Sequence, residues 1–418
     1  MKKTDVCIIG GGPAGMMAAI TVMDNLNGRN CQVTIVEHKD KLGKKLLATG
    51  NGRCNFANDV IDDMSFRGEN TPFAYNVINR YDLNQILDFM RRIGVLHTSL
   101  NGYYYPRSLQ AATVCDALKL KLDSLKADVC CNVNVTGLEK NDRGFIIKTD
   151  AEDISAKYVV ISMGGRSYKS LGSDGSGYKL AKKIGHRITK LYPALTGLVA
   201  NGLDFKVCSG VRVRGKISLL VKDRRICGSE GEIQFADYGI SGIPVFQISR
   251  YASEYIGRGD RVQTVIDFVP EYDILDIKDT IRDILDNNKK QTILSALNAF
   301  IPVKLAKAIL KRLRVDASAG AKRIDNGILI SIAGELKGLK IGIERDCGFD
   351  KAQVTAGGVD TLEVSEKTLE SKLADGLYFA GEILDVDGNC GGYNLHFAFA
   401  SGNIVGEAIA NKLKGQKE

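Results

Sequence analysis

Nowhere in the chain does an apolar run approach the roughly 20 residues that a membrane-spanning helix needs, so no membrane partner is expected. The first apolar run, Val6-Cys7-Ile8-Ile9, is too short for a signal-peptide core and leads into three glycines instead of a cleavage site. The ten cysteines lack the paired spacing that zinc sites use, and only Cys130 and Cys131 are adjacent. They are expected to be reduced thiols of a cytoplasmic protein, and no metal site is expected. Charge is also unremarkable: a formal net charge of +8 fits an anionic ligand and, more simply, a generic basic surface. Lys304, Lys307, Lys311, Arg312 and Arg314 fall among apolar residues at helical spacing and read as a solvated helix face. No nucleic-acid partner is expected from them.

What remains is the balance of a soluble globular protein, with 25% charged and 44% apolar residues, in a chain long enough for two or three compact units. The first part alternates short buried strands (Val6–Ile9, Gln32–Glu37) with a helical stretch rich in Ala, Met and Ile, which is a βαβ start. Lys157-Tyr158-Val159-Val160-Ile161-Ser162 is a further strand ending in Gly164-Gly165, followed by helix signals from Gly177 to Ile184. From Leu191 the texture becomes β-rich, as in Lys216–Val221 and Arg261–Val269; from Asp273 to Arg314 it is helical, with Ile274, Ile277, Ile281 and Ile284 in register. Strand, turn and helix return after Gly342. The expected division is therefore 1–190 and 343–418 for one discontinuous α/β domain, with 191–270 a β-rich insert, 271–325 a helical insert and 326–342 a return through the β-rich part.

Gly10-Gly11-Gly12-Pro13-Ala14-Gly15 closes a strand and opens a helix. In that setting Gly10 permits the tight turn, Gly12 lets backbone amides approach a pyrophosphate, and Gly15 lets helix and strand pack closely. The open amides of the helix N-terminus favour the phosphates, and Glu37 at the end of the next strand is placed to accept from a ribose. Glu37 does not distinguish FAD from NAD. The C-terminal part does: Gly381-Glu382, Asp385-Val386-Asp387-Gly388 and Gly391-Gly392-Tyr393-Asn394 make a second carboxylate turn and a second helix opening. That suits a long ligand, with Glu382 accepting from ribityl hydroxyls and the amides at Tyr393 and Asn394 stabilising negative charge on a reduced flavin. No second GxGxxG element is present, which argues against tight nicotinamide binding.

The stretch Gly43-Lys44-Lys45-Leu46-Leu47-Ala48-Thr49-Gly50-Asn51-Gly52-Arg53-Cys54-Asn55 reads as a backbone-rich loop against a polar ligand, and it is not a Walker loop. With it the chain resembles the aminoacetone oxidase-like and bile-acid-inducible FAD-binding flavoproteins. The resemblance extends to Tyr105-Pro106-Arg107-Ser108, Gly164-Gly165, Gly172-Ser173-Asp174-Gly175, Gly231-Glu232 and the Gly381–Asn394 segment, and covers nearly the whole chain. It implies a Rossmann-like FAD domain of the glutathione-reductase type, interrupted by a β-barrel-like unit and a small helical unit. It also implies that Arg53, Cys54 and Asn55 lie by the flavin. The chain departs from the family pattern at Ala57, at Ser162-Met163 and at Ala236-Asp237.

Together these readings make FAD the expected cofactor, held by Gly10, Gly12, Pro13, Ala14, Gly15, Glu37, His38, Lys44, Lys45, Thr49, Gly50, Arg53, Cys54, Asn55, Val133, Gly164, Gly381, Glu382, Asp385, Gly392, Tyr393 and Asn394. Cys54 has no CxxC partner and reads as structural. Candidate catalytic groups are Tyr105, Arg53 and His396, and candidate substrate contacts are Arg107 and Tyr105; His396 reads equally as a proton donor or a packed polar residue. The expected reaction is NAD(P)H-driven reduction of a C=C bond conjugated to a ketone in a steroid- or bile-acid-like molecule. Alternatives are oxidation of a small amine such as aminoacetone, a flavin-dependent RNA modification and a flavin-binding redox sensor.

Overall fold

The computed structural model of the chain describes residues 1–26, 31–287 and 290–415. They form two compact units, Met1–Leu191 with Val354–Glu418, and Tyr192–Gln353 between them in sequence.

The first unit is built on a seven-stranded sheet. Asp128–Cys130, Val33–Val36, Lys2–Ile9 and Ile154–Ile161 lie side by side and parallel, and Leu377–Phe379 adds a parallel strand beside Val159–Ile161. Strands buried on both faces need apolar residues throughout, and Val6, Cys7, Ile8, Val159, Val160 and Ile161 are fully buried. The antiparallel strands Gly144–Thr149 and Val135–Asn141 extend the other half of Ile154–Ile161. The helix Pro13–Leu26 follows the first strand and packs on the C-terminal helix Tyr393–Gly415 through small residues. A Cβ on Gly402 would lie 2.4 Å from the Ala14 carbonyl oxygen, and one on Gly406 would lie 2.5 Å from Thr21 Cβ.

His186 sits in this unit's interior and its hydrogen bonds fix its tautomer. Ser371 Oγ accepts from Leu373 N (3.0 Å) and Ala374 N (2.9 Å), so its own proton goes to His186 Nε2 (2.8 Å). His186 Nδ1–H then donates to Glu363 Oε2 (3.1 Å), which also accepts from Arg187 N. Burial lowers the His186 pKa against the opposing pull of Glu363 and Asp360, and burial likewise lowers that of His396. Both imidazoles thus take up protons more readily in the unfolded chain. Stability should therefore fall as pH drops below the ordinary value of 6.5 and stop falling, on their account, below the depressed folded-state values. Melting temperatures at pH 7.5, 6 and 5 check this, and a His186→Gln variant with an unchanged profile would remove His186 from the account.

The second unit has its own core. Six strands close a barrel in the order Leu198–Asn201, Gly239–Ser241, Arg224–Ala236, Arg212–Val221, Val262–Asp267 and Leu339–Asp346. Alternation supplies the barrel interior: Ile217 and Leu219 point in while Lys216 faces out. The unit also carries the helices Phe205–Cys208, Ile243–Gly257, Ile274–Asn287, Ile293–Leu297, Val303–Leu313 and Asn326–Gly338. Within 326–342, expected to return through the β-rich part, the helix Asn326–Gly338 comes first and the strand starts at Leu339. Asn326-Gly327 resembles a turn, but Asp325 caps a helix by accepting from Ile328 N (2.8 Å), and Leu329, Ile332, Ala333 and Leu336 are buried at helical spacing.

Candidate functional site

The first glycine turn is shaped by three different demands. Gly10 has φ +109°, and a Cβ there would lie 2.5 Å from the Ser162 carbonyl oxygen. A Cβ on Gly15 would lie 2.0 Å from the Gly10 carbonyl oxygen, so the helix Pro13–Leu26 approaches the turn as closely as a glycine allows. Around Gly12 the space is open, with nothing within 4 Å of an added Cβ. Ser162 Oγ, within 3.1 Å of Ile9 O and 3.0 Å of Gly10 O, ties the turn to the neighbouring strand. An open pocket of backbone at a helix N-terminus, beginning with Pro13 and Ala14, fits a pyrophosphate.

Glu37 borders this turn. Its carboxylate accepts from Gly11 N (2.8 Å) and Lys39 N (2.8 Å) and lies 3.2 Å from His38 Nδ1. Burial pushes its pKa up, but the bonds from His38, Lys39 and Gly11 outweigh that and leave it below the usual value. A carboxylate offers about four acceptor positions, so one hydroxyl of a ribose can still be accommodated. Val133 N donates to Glu37 O (3.1 Å), which sets the chain after the Asp128–Cys130 strand alongside.

The Gly43–Asn55 stretch is more ordered than a loop. Gly43 (φ +75°) leads into a short helix, Lys44–Ala48, and a 3₁₀ turn, Thr49–Gly52, follows in which Gly50 and Asn51 are left-handed. Thr49 Oγ1 donates to Leu46 O (2.6 Å), and Cys54 N donates to Thr49 O (3.0 Å). Lys44 faces outward to Asp40 (2.5 Å), whereas Lys45 turns inward. Its Nζ lies 2.7 Å from Glu382 Oε2, joining the two glycine-rich motifs across 337 residues of sequence. Glu382 Oε1 accepts from Thr355 N (3.0 Å), and Gly381 N donates to Ser401 Oγ (2.9 Å). Gly164 (φ +70°) lies against Ser173, whose Oγ is 3.5 Å from Lys45 Nζ.

The motifs meet a second time at the C-terminal helix. Asn58 Nδ2 donates to Gly391 O (2.9 Å), and a Cβ on Gly392 would lie 2.5 Å from Ala57 O. Asn55, with its amide oriented to donate to Ala57 O (2.9 Å) and Tyr104 O (3.1 Å), stands beside this junction. The first bond of the helix runs from His396 N to Gly392 O (3.0 Å), which leaves the amides of Tyr393, Asn394 and Leu395 in its open first turn. Asn394 closes the preceding turn, accepting from Gly388 N (2.8 Å). Asp385 is buried and accepts from Glu69 N (2.9 Å), which makes it a support of this segment.

Among the candidate catalytic groups, the structure brings Arg53 near Tyr105. Tyr105 is half-buried on the strand Tyr103–Pro106, Arg53 is exposed, and its positive charge acts on the Tyr105 phenol. Arg107, just past that strand, is exposed. His396 is placed differently from the proton-donor reading: it is 1% exposed, and Nε2 points at Tyr81 O (3.0 Å), an acceptor that takes its proton. It is a packed polar residue. Ser162, Thr355, Ser173 and Ser401 brace the site; Ser162 and Ser173 lay within stretches the sequence marked, whereas nothing in the sequence pattern singled out Thr355 or Ser401, because their partners lie far along the chain.

Cys54 is buried with φ +57°, and burial pushes its thiol up to about 12. It should resist alkylation at pH 8 in the folded protein and react only on denaturation; rapid native labelling in peptide mass spectra would contradict that. Among the described residues, no helix is long and apolar enough to cross a membrane, and no group of three His, Cys, Asp or Glu could hold a metal ion.

The chain is similar to known proteins over its full extent. It is 39% identical to a 3-dehydro-bile acid delta(4,6)-reductase of Clostridium scindens, over 97% of this chain and 98% of that one. It is 28% identical to a ribosomal RNA dihydrouridine synthase of Escherichia coli, over 96% of each. A quinol-fumarate reductase structure matches with a TM-score of 0.52 at 14% identity, covering all of this chain and 72% of that one. A 3-ketosteroid-delta4-(5alpha)-dehydrogenase structure from Rhodococcus jostii matches with a TM-score of 0.50 at 13% identity, over 98% of this chain and 97% of that one. These two likenesses concern the fold. The HI0933-like protein Rossmann domain profile matches residues 4–408, and the chain belongs to that family as an FAD-dependent oxidoreductase.

Proposed function

We propose that the protein reduces a carbon–carbon double bond conjugated to a carbonyl, on a steroid- or bile-acid-like ketone, with NAD(P)H as the electron donor. The observation that carries this reading is the full-length, 39% identity to a bile-acid reductase. The E. coli relative is named for reducing a uridine base, whose reduced double bond also neighbours a carbonyl, so the two names share one reaction class. A ribosomal RNA uridine is therefore the second reading.

FAD, when bound, supplies the hydride. Everything else is the work of side chains and backbone. The turn at Gly10–Gly15 and the carboxylate of Glu37 hold the nucleotide end, and Lys45 fixes Glu382 for the ribityl chain. The open first turn at Tyr393–Leu395 offers amides to negative charge developing at the reacting end. Tyr105 delivers a proton to the carbon next to the carbonyl, and Arg53 beside it stabilises the phenolate left behind.

The test is anaerobic. Flavin bleaching is followed with NADH and with NADPH, and the reduced protein is then offered a steroid with a conjugated ketone or a ribosomal RNA transcript. Reoxidation by the steroid with formation of the saturated ketone is the expected result. Reoxidation by RNA alone would transfer the assignment to the uridine reading, and by neither would end both. A Lys307→Ala/Lys311→Ala variant should keep steroid turnover within about twofold, since both lysines lie on the solvent face of their helix and, among the described residues, Lys311 is paired only with Asp204, at 2.5 Å.

A further inference from the structure

Three consecutive tyrosines, Tyr103, Tyr104 and Tyr105, occupy the middle strand of a small sheet, between Ala57–Asn58 and His97–Leu100. Side chains alternate along a strand, so Tyr103 and Tyr105 share one face and Tyr104 takes the other. Tyr104 packs against the core of its unit, so the face carrying Tyr103 and Tyr105 is the one turned away from it. Both phenols are half-buried, and among the described residues neither hydroxyl has a hydrogen-bond partner.

Their surroundings differ. Tyr103 lies against the glycine turn that opens the C-terminal helix: a Cβ on Gly391 would come within 2.4 Å of its ring. Burial and the neighbouring Cys390 both raise its pKa, and no cation opposes them. Tyr105 is also raised by burial and by Tyr103, but the Arg53 guanidinium pulls it the other way. Both phenols therefore hold their protons more tightly than a free tyrosine, and of the two only Tyr105 has a cation acting against that hold.

We infer that Tyr103 is the group that binds the substrate's carbonyl oxygen, with Tyr105 left free for proton delivery. This rests on the reading of the protein as a reductase of conjugated carbonyls. During such a reduction negative charge accumulates on the carbonyl oxygen as the β-carbon gains hydride. A donor that does not ionise is the appropriate partner for that oxygen, because it stabilises the charge without losing its proton. The Tyr103 ring also lies against Gly391, two residues before the open amides of Tyr393–Leu395 begin, in the segment that Asn58 ties to the C-terminal motif.

Tyr103→Phe and Tyr105→Phe keep the rings and remove one hydroxyl each. The FAD-loaded variants are compared with wild type by equilibrium dialysis against cyclohexenone and against cyclohexene, which has the double bond without the carbonyl. Tyr103→Phe should weaken cyclohexenone binding at least tenfold, leave cyclohexene binding unchanged and retain FAD. Tyr105→Phe should bind both as wild type does, and lose turnover together with the alkaline limb of the pH–rate profile. Equal loss of both ligands in Tyr103→Phe would mark a packing role and overturn the inference. Unchanged cyclohexenone binding in Tyr103→Phe, with reduction intact, overturns the inference and leaves the reductase reading standing. Absence of cyclohexenone binding by the wild type overturns both.

Discussion

Replacing Gly12 by Val should yield a folded protein that has lost its flavin. The structure separates the two effects, because nothing lies within 4 Å of a Cβ at this position and its backbone does not need a positive φ. The side chain would stand in open space, which the proposed site gives to the pyrophosphate. FAD affinity should fall more than tenfold, or above ~1.4 kcal/mol, while the melting curve of the flavin-free protein stays within a degree or two. Flavin titration by fluorescence quenching reads the first quantity and circular dichroism the second. Unchanged affinity in a folded variant would show that the pyrophosphate lies elsewhere. Gly15 is the internal contrast: a Cβ there would press on the Gly10 carbonyl at 2.0 Å, so Gly15→Ala should damage the fold itself.

The second large effect is expected at Gly402, within the C-terminal helix. In a solvent-facing helix, glycine to alanine stabilises by roughly 1 kcal/mol, because alanine loses less backbone freedom on folding. Gly334, also helical, with nothing within 4 Å of an added Cβ, should behave that way. At Gly402 the new methyl would meet the Ala14 carbonyl oxygen at 2.4 Å and Met17 Cβ at 2.9 Å, both on the helix Pro13–Leu26. The two helices must separate or tilt, and overpacking of this kind costs about 3 kcal/mol. Gly402→Ala and Gly334→Ala should therefore shift chemical unfolding in opposite directions. A shift of the same sign in both would mean that the helix pair has slack to absorb a methyl group.

How far the sequence could be read depended on whether a feature was local. The turn at Gly10–Gly15 and the acid at Glu37 are short-range consequences of ending one strand and starting a helix, and both were legible from spacing. The change to a β-rich texture after Leu191 was visible, whereas the closure of six strands into a barrel depends on pairing the strand Leu198–Asn201 with Leu339–Asp346, far apart in sequence. The helix Asn326–Gly338 was obscured by its Asn-Gly opening, which resembles a turn until the Asp325 cap is recognised. In the site, glycines and acids stood out, while Thr355 and Ser401 did not. A hydroxyl that braces a distant backbone leaves no periodic trace. His396 shows the reverse difficulty: the residue type invited a catalytic reading, and only its burial beneath Tyr81 O reveals a packing role.

The ion pair between Lys45 and Glu382 has a consequence for synthesis. A ribosome makes the chain from the N-terminal side onward, so the turn at Gly10–Gly15 and Lys45 emerge before Glu382, their counterpart. Until Leu377–Phe379 and the helix Tyr393–Gly415 emerge, the sheet lacks a strand and the helix Pro13–Leu26 lacks the partner that covers it. On the proposed reading, a chain shorter than this has no complete flavin site, and cofactor capture would await the helix Tyr393–Gly415. Truncation before Leu377 would be expected to give colourless, protease-sensitive protein, because that strand and the helix Tyr393–Gly415 would both be missing.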